Sequence, residues 1–215
     1  MTMTSSGSSV ARRRVRQPKG PGDQIRVREM LSYLAAALPG HIGAAARLLA
    51  VQCALRMDSE GQARLRTGVM RSLRLGRDPL PWSELEQSRW LRRTPTATGA
   101  ADGVVTAQLL DGVLFAQSPA RPDRRSAADW ALRMASGGCT AAGDPSLRLT
   151  VLCLAAHTDA HAGRGCAELE RIAHDCGLVP AELITVLDRL TTCLIDWQQR
   201  QNGHLTLDGI DLPLE

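Results

Sequence analysis

The sequence predicts a mostly α-helical protein with small β-hairpins, and three observations support that prediction. Apolar residues make up 44% of the 215-residue chain and recur at three- and four-residue intervals, which is the spacing of a helix that buries one face. Glycine and proline interrupt these runs and predict where helices end. Two dipeptides are typical of tight hairpin turns: Asp111-Gly112 lies between apolar segments, and Asn202-Gly203 lies between segments of alternating apolar and polar residues. We therefore expect two helical units, each ending in a hairpin.

The N-terminal segment, residues 1–22, is rich in serine, glycine, proline and arginine, so we expect it to be disordered. Its positive residues are Arg12, Arg13, Arg14, Arg16 and Lys19. Such a basic arm can follow a nucleic-acid backbone or enter a minor groove. A tail that is merely solvated has the same composition, and the sequence does not separate the two.

Residues 23–117 are expected to form the first unit. Asp23 is a candidate N-cap for a first helix, which Pro39-Gly40 would end. Residues 41–57 predict a second, buried helix, and residues 59–75 predict a third. The inward positions of this third helix would be Leu65, Val69, Met70 and Leu73.

The end of the first unit contains a capping signal and a turn signal. Ser83 and Glu86 form a capping box, which predicts a short helix ending at Arg92-Arg93. Beyond the polar loop 94–103, the apolar segments around Asp111-Gly112 predict a hairpin. A continuous helix is the alternative, because both segments are apolar throughout. With the hairpin, the first unit would repeat the order of the second, although no residue-level repeat supports this.

Residues 118–144 are predicted to link the two units. Residues 118–125 are rich in proline and arginine, and 126–134 predict a connecting helix. Residues 136–144 form a glycine-rich boundary.

Residues 145–215 contain the clearest pattern. Helices are predicted near 146–158, 166–176 and 180–193, with a turn at Gly177 and a helix start at Pro180. The helical spacing of the apolar residues places Ile172 and Leu187 in the core. The strand around Trp197 and the Asn202-Gly203 signal then predict a hairpin. Helix, turn, helix and hairpin in this order resemble a winged helix-turn-helix domain, from Pro145 to about Leu212. The resemblance implies DNA binding in most cases and protein interaction in many others.

Charge is divided unequally between the two halves. The chain carries +4 overall, whereas the five basic and ten acidic residues from position 145 onward give about −5. Because phosphate neutralisation by Lys and Arg largely determines DNA affinity, we expect the first half to contact the DNA backbone. A solvated basic face is the alternative. The predicted contacts are Arg64, Arg66, Arg71, Arg74, Arg77, Arg89, Arg92 and Arg93, together with Arg189 of the second unit.

Other kinds of site find little support in the sequence. His157, His161, Cys166, His174 and Cys176 are close enough in sequence to raise a zinc site, but no Cys-x-x-Cys pair accompanies them. Since nucleophile and phosphate-loop motifs are also lacking, we expect no metal, no cofactor and no enzymatic activity. No apolar run predicts a membrane span or a signal peptide, so the expected location is the cytoplasm.

The resulting hypothesis is a DNA-binding transcriptional regulator with tandem winged-helix-like domains. The arginine bias and the abundance of alanine and glycine hint at a GC-rich bacterial gene. Double-stranded DNA is the predicted partner, and the acidic C-terminal domain could support a homodimer or bind another protein. The alternative is a non-enzymatic, tandem winged-helix interaction subunit of a chromosome-organising or replication complex.

Overall fold

The computed structural model describes residues 22–75, 78–94, 103–117, 121–136, 144–159, 164–191, 196–199 and 204–208. Over these residues the chain is mostly α-helical, with two small antiparallel sheets. The basic arm up to residue 21, Arg77, most of the glycine-rich boundary and the Asn202-Gly203 turn lie outside the described residues. No helix of the described part is both long and apolar enough to cross a membrane.

The first two helices lie close to their predicted positions. Helix α1 spans Gly22–Ala37 and α2 spans Ala44–Arg56. Asp23 is not the N-cap that the sequence suggests, because it lies inside the first turn of α1. There its buried carboxylate accepts a 2.6 Å hydrogen bond from the Ser126 hydroxyl.

The predicted third helix is wrong. Residues 59–75 instead form strand β1, Gln62–Arg66, followed by the short helix α3, Thr67–Ser72. Gly61 adopts a positive φ of 76°, which a helix does not allow, and the Asp58 carboxylate accepts from the backbone N–H of Gln62 at 2.9 Å. These features turn the chain into a strand with alternating burial.

The capping box at Ser83 is also wrong. Helix α4 spans Leu80–Gln87, so Ser83 lies inside it and its hydroxyl donates to the Pro79 carbonyl at 3.1 Å. The helix does not reach Arg92-Arg93, because Leu91–Arg93 is strand β2.

The hairpin predicted at Asp111-Gly112 is wrong, and so is the continuous helix. Strand β3, Val104–Leu109, is followed by helix α5, Gly112–Gln117. Asp111 caps this helix, since its carboxylate accepts from the N–H of Val113 at 3.1 Å. The hairpin of the first unit is formed instead by β2 and β3, and the first sheet has the order β1-β3-β2.

The connecting helix is longer than predicted. Helix α6 spans Arg121–Ala135 and so includes part of the segment predicted as a linker. It contacts α1 and α2 through small buried residues, which allow the helices to approach closely. The Gln52 side chain donates to the Ala128 carbonyl at 3.1 Å.

The second unit follows the predicted order with one correction. Helix α7, Pro145–His157, is followed by strands β4, Thr158–Asp159, and β5, Arg164–Glu168. Helix α8, Leu169–Cys176, starts later than predicted because Cys166 belongs to β5. Helix α9, Pro180–Thr191, comes next, and strands β6, Asp196–Gln199, and β7, His204–Asp208, complete the unit.

Three predictions in the second unit are confirmed. Gly177 adopts the left-handed conformation with φ of 67°, and Ile172 and Leu187 are fully buried. Strands β6 and β7 pair antiparallel on either side of the turn signal, so the predicted hairpin is present. The second sheet has the order β4-β5-β7-β6.

The two units share one order of elements. Each runs helix, strand, helix, helix, strand, strand, with the last strand between its two partners: α2-β1-α3-α4-β2-β3, then α7-β5-α8-α9-β6-β7 with the short β4 added. Helices α2 and α7 contact each other, and both contact α1 and α6. The buried apolar residues of the two units form one continuous core.

Candidate nucleic-acid interface

Three arginines share the outer face of the first sheet. On β1, Ala63 and Leu65 are buried whereas Arg64 and Arg66 are exposed, as expected for alternating side chains. Arg64 lies opposite Thr106 on β3, and Arg92 of β2 lies opposite Gln108. Residues that pair directly across two strands, and residues two positions apart on one strand, point to the same side of a sheet. Arg64, Arg66 and Arg92 therefore form a single surface, here called the arginine face.

The arginine face carries positive charge that the described part of the chain does not neutralise. All three residues are exposed, and within the described ranges none of them forms an ion pair. Arg71 on α3, which follows β1 directly, is exposed in the same way. Like charges on neighbouring strands repel each other, so an external anion on this face would be favoured.

Other predicted contacts are used within the fold. The Arg93 guanidinium donates to the Glu86 carboxylate at 2.6 and 3.1 Å and lies 6.0 Å from the centroid of the Trp82 ring. These hydrogen bonds lower the pKa of Glu86 and raise that of Arg93. Arg189 pairs with Asp144 at 2.8 Å. Arg93 and Arg189 therefore stabilise the protein's own structure.

Arg74 and Arg89 are exposed and lie just beyond the ends of α3 and α4. Both have a positive φ, of 51° and 57°. Within the described residues Arg89 forms no ion pair, whereas Arg74 interacts within the chain. Arg77 lies outside the described residues.

Helices α4 and α9, each the third helix in the order of elements that the two units share, are poorly suited to contact phosphate. In α4, the Glu84 carboxylate accepts from the Gly43 N–H at 2.8 Å. The exposed side of α9 carries Glu182, Thr185 and Asp188, and carboxylates repel a DNA backbone. Residues 83–93, predicted as one short helix, do not form a single helix that could enter a groove, because that segment is the end of α4 followed by β2.

Three arginines that sequence reasoning missed are almost fully buried: Arg47, Arg124 and Arg148, at 3%, 4% and 1% exposure. Each donates to carbonyls at helix ends or turns. Arg124 donates to the Met57 carbonyl at 2.9 Å, and Arg148 donates to the carbonyls of Ala135, Leu73 and Ser72. Burial lowers the pKa of Arg47 and Arg148. Nothing in their sequence context distinguishes them from surface arginines. Because they are buried, the positive charge exposed on the surface is smaller than the sequence suggests.

The histidines and cysteines considered from the sequence as zinc ligands do not come together in the described residues. His157 Nε2 lies 3.1 Å from the buried Asp175 carboxylate, which also accepts from the Ser32 hydroxyl at 3.2 Å. Cys176 is buried and His161 lies outside the described residues. In the part of the chain that the structure describes, no group of three histidine, cysteine or acidic residues could hold a metal ion.

Comparison with protein-family models, with curated proteins and with solved structures gave no match for this chain. The physical features of the arginine face are therefore the basis for a functional assignment.

Proposed function

We propose that this protein is a DNA-binding transcriptional regulator built from two winged-helix units, and that it contacts duplex DNA mainly through the first unit. The repeated order of helix, strand, helix, helix and hairpin supports this proposal. So does the strand order, because β3 lies between β1 and β2 in the first sheet, and β7 lies in the same way between β5 and β6 in the second. Helix-turn-helix elements of this kind commonly bind DNA.

The observation that carries the proposal is the arginine face. Arg64, Arg66 and Arg92 are exposed, share one side of a rigid sheet and have no carboxylate partner among the described residues. Arginine binds phosphate through several N–H donors in a fixed geometry, and a sheet holds the three side chains without a large loss of backbone entropy. A polyanion is the ligand that fits this surface.

A second candidate function has its own supporting observation. Leu80 and Val179, at the starts of the third helices α4 and α9, are 58% and 56% exposed. Exposed apolar residues at equivalent places, next to acidic side chains, favour a protein partner over DNA. This is the non-enzymatic interaction subunit, for which the two third helices would be the docking elements.

Fluorescence anisotropy with a labelled duplex, titrated at several salt concentrations, separates the two functions. We expect binding that weakens steeply as salt rises, since each phosphate contact contributes a slope of about −0.9 in log K against log salt. The variant Arg64→Ala/Arg66→Ala/Arg92→Ala should bind more weakly to every duplex and show a shallower slope.

The matched control is Arg125→Ala/Arg171→Ala, which removes two exposed arginines outside the arginine face. This control should bind like the wild type. If the wild type does not bind any duplex at low salt, the DNA-binding proposal is wrong and the interaction subunit replaces it.

A further inference from the structure

Just beyond the ends of two helices of the first unit, an arginine adopts a conformation that normally belongs to glycine. Among the described residues, Arg74 and Arg89 are the non-glycine residues with positive φ. An L-residue other than glycine is disfavoured in this region because its Cβ approaches the following carbonyl oxygen. Where such residues do occur, asparagine and aspartate are the usual ones.

The backbone hydrogen bonds at the ends of α3 and α4 identify the type of helix end. After α3, the N–H of Leu75 donates to the Met70 carbonyl at 3.3 Å and that of Arg74 to Arg71 at 3.0 Å. After α4, the N–H of Trp90 donates to Leu85 and that of Arg89 to Glu86, both at 3.0 Å. Each pair is the Schellman arrangement, which places a left-handed residue just after the helix.

The second unit contains the same motif with glycine. After α8, the N–H of Leu178 donates to the Ala173 carbonyl and that of Gly177 to His174, both at 2.9 Å. Gly177 has φ of 67° and occupies the position that Arg74 occupies after α3. At the end of α8 the acidic unit therefore has the favourable residue, whereas the basic unit has arginine after both α3 and α4.

The helix dipole does not account for this choice. A cation near the C-terminus of a helix is stabilising, but it acts equally well from within the last turn, where no left-handed backbone is needed. Helix α3 already has Arg71 in that turn. Arg74 also lies near enough to the buried Arg148 to lower the pKa of that group, so it adds charge repulsion.

We infer that Arg89 and Arg74, two of the contacts predicted from the sequence, bind DNA phosphate, and that this role accounts for arginine in an unfavourable backbone conformation. This inference rests on the proposed function and extends the binding surface from the arginine face to the ends of α3 and α4. Both side chains are exposed, and Arg89 has no ion-pair partner among the described residues. Strained backbone conformations are found preferentially at functional sites.

The test uses substitutions that separate folding from binding. In Arg89→Gly, the left-handed position receives its preferred residue, so the melting temperature should rise by roughly 2–4 °C. At the same time the affinity for a labelled duplex should fall by roughly tenfold, and the salt slope should become shallower by about one. Arg74→Gly should weaken binding in the same direction, and Arg89→Lys should retain most of the affinity because it keeps the charge.

Arg125→Ala is the control for loss of one exposed positive charge, and it should leave binding unchanged. Unchanged affinity of Arg89→Gly, while the arginine-face triple variant binds weakly, would overturn this inference alone. A lower melting temperature for Arg89→Gly would also overturn it, because the side chain would then be stabilising the fold. No binding by the wild type would overturn both this inference and the proposed function.

Discussion

Replacing Gly177 by alanine tests how the two units are joined. Gly177 ends α8 in the second unit, and its Cα lies against the guanidinium of Arg47 from α2 in the first unit. A Cβ added there would lie 2.5 Å from Cζ and 2.7 Å from Nη2 of Arg47, distances that require a side chain to move. The positive φ of 67° adds backbone strain.

The expected cost has two parts. Alanine in the left-handed region costs about 1–2 kcal/mol relative to a favoured conformation. Arg47 is only 3% exposed and donates to the carbonyls of Ile42 and Pro39, both at 3.1 Å. Moving it breaks at least one charge-assisted hydrogen bond, which is worth about 1.5–3 kcal/mol. We therefore expect Gly177→Ala to lower the free energy of unfolding by about 2.5–5 kcal/mol.

Urea unfolding followed by circular dichroism measures this change, and Gly68→Ala is the matched control. Gly68 lies in α3, and no neighbouring atom lies within 4 Å of the place that an alanine methyl group would occupy. Alanine there should therefore stabilise the protein by roughly 0.5–1 kcal/mol. In the background Arg47→Met, Gly177→Ala should lower the free energy of unfolding by little more than the cost of the left-handed backbone, because the flexible thioether can move aside. A cost for Gly177→Ala below about 1 kcal/mol, or an equal cost in both backgrounds, would refute the contact.

Two further predictions concern the second unit. Leu187 is fully buried, so Leu187→Ala should lower the free energy of unfolding by about 2–5 kcal/mol in the same urea assay, and a change below about 1 kcal/mol would contradict its place in the core. Pairing of two chains through the acidic unit predicts a dimer mass in light scattering at micromolar concentration. A monomeric mass, both alone and with DNA, would exclude the dimer and leave the two units of one chain as the binding elements.

The second unit could be predicted because its signals are local. The left-handed turn needs only Gly177, and the start of α9 needs only Pro180. The apolar periodicity around Ile172 and Leu187 then places both residues in the core, where they lie. The one error, the start of α8 at residue 166, arose because the pairing of β5 with β7 depends on residues about forty positions away.

The first unit was mispredicted because its signals compete. Leu65, Val69 and Leu73 fit a helical spacing, while Ala63 and Leu65 also fit a strand. The pairing of β1 with β3 decides that this segment forms a strand and not a helix. Nothing in the sequence around β1 indicates that pairing. Asp111-Gly112 likewise fits both a hairpin turn and a helix start, and the structure uses the aspartate as a cap.

Under the proposed function, Arg74 and Arg89 both weaken the fold signal of the first unit and contribute to its binding surface. Sequence reasoning finds helix ends through glycine, and at Arg74 and Arg89 the chain has arginine in the conformation that glycine favours. Arginine in place of glycine at these two positions would add phosphate contacts, and it removes the clearest sequence marker of the turn. In the second unit Gly177 keeps that marker and contributes no charge. If the proposed function holds, the unit that is easier to predict is the one less suited to bind DNA, because a glycine that marks the turn and an arginine that binds phosphate cannot occupy the same position.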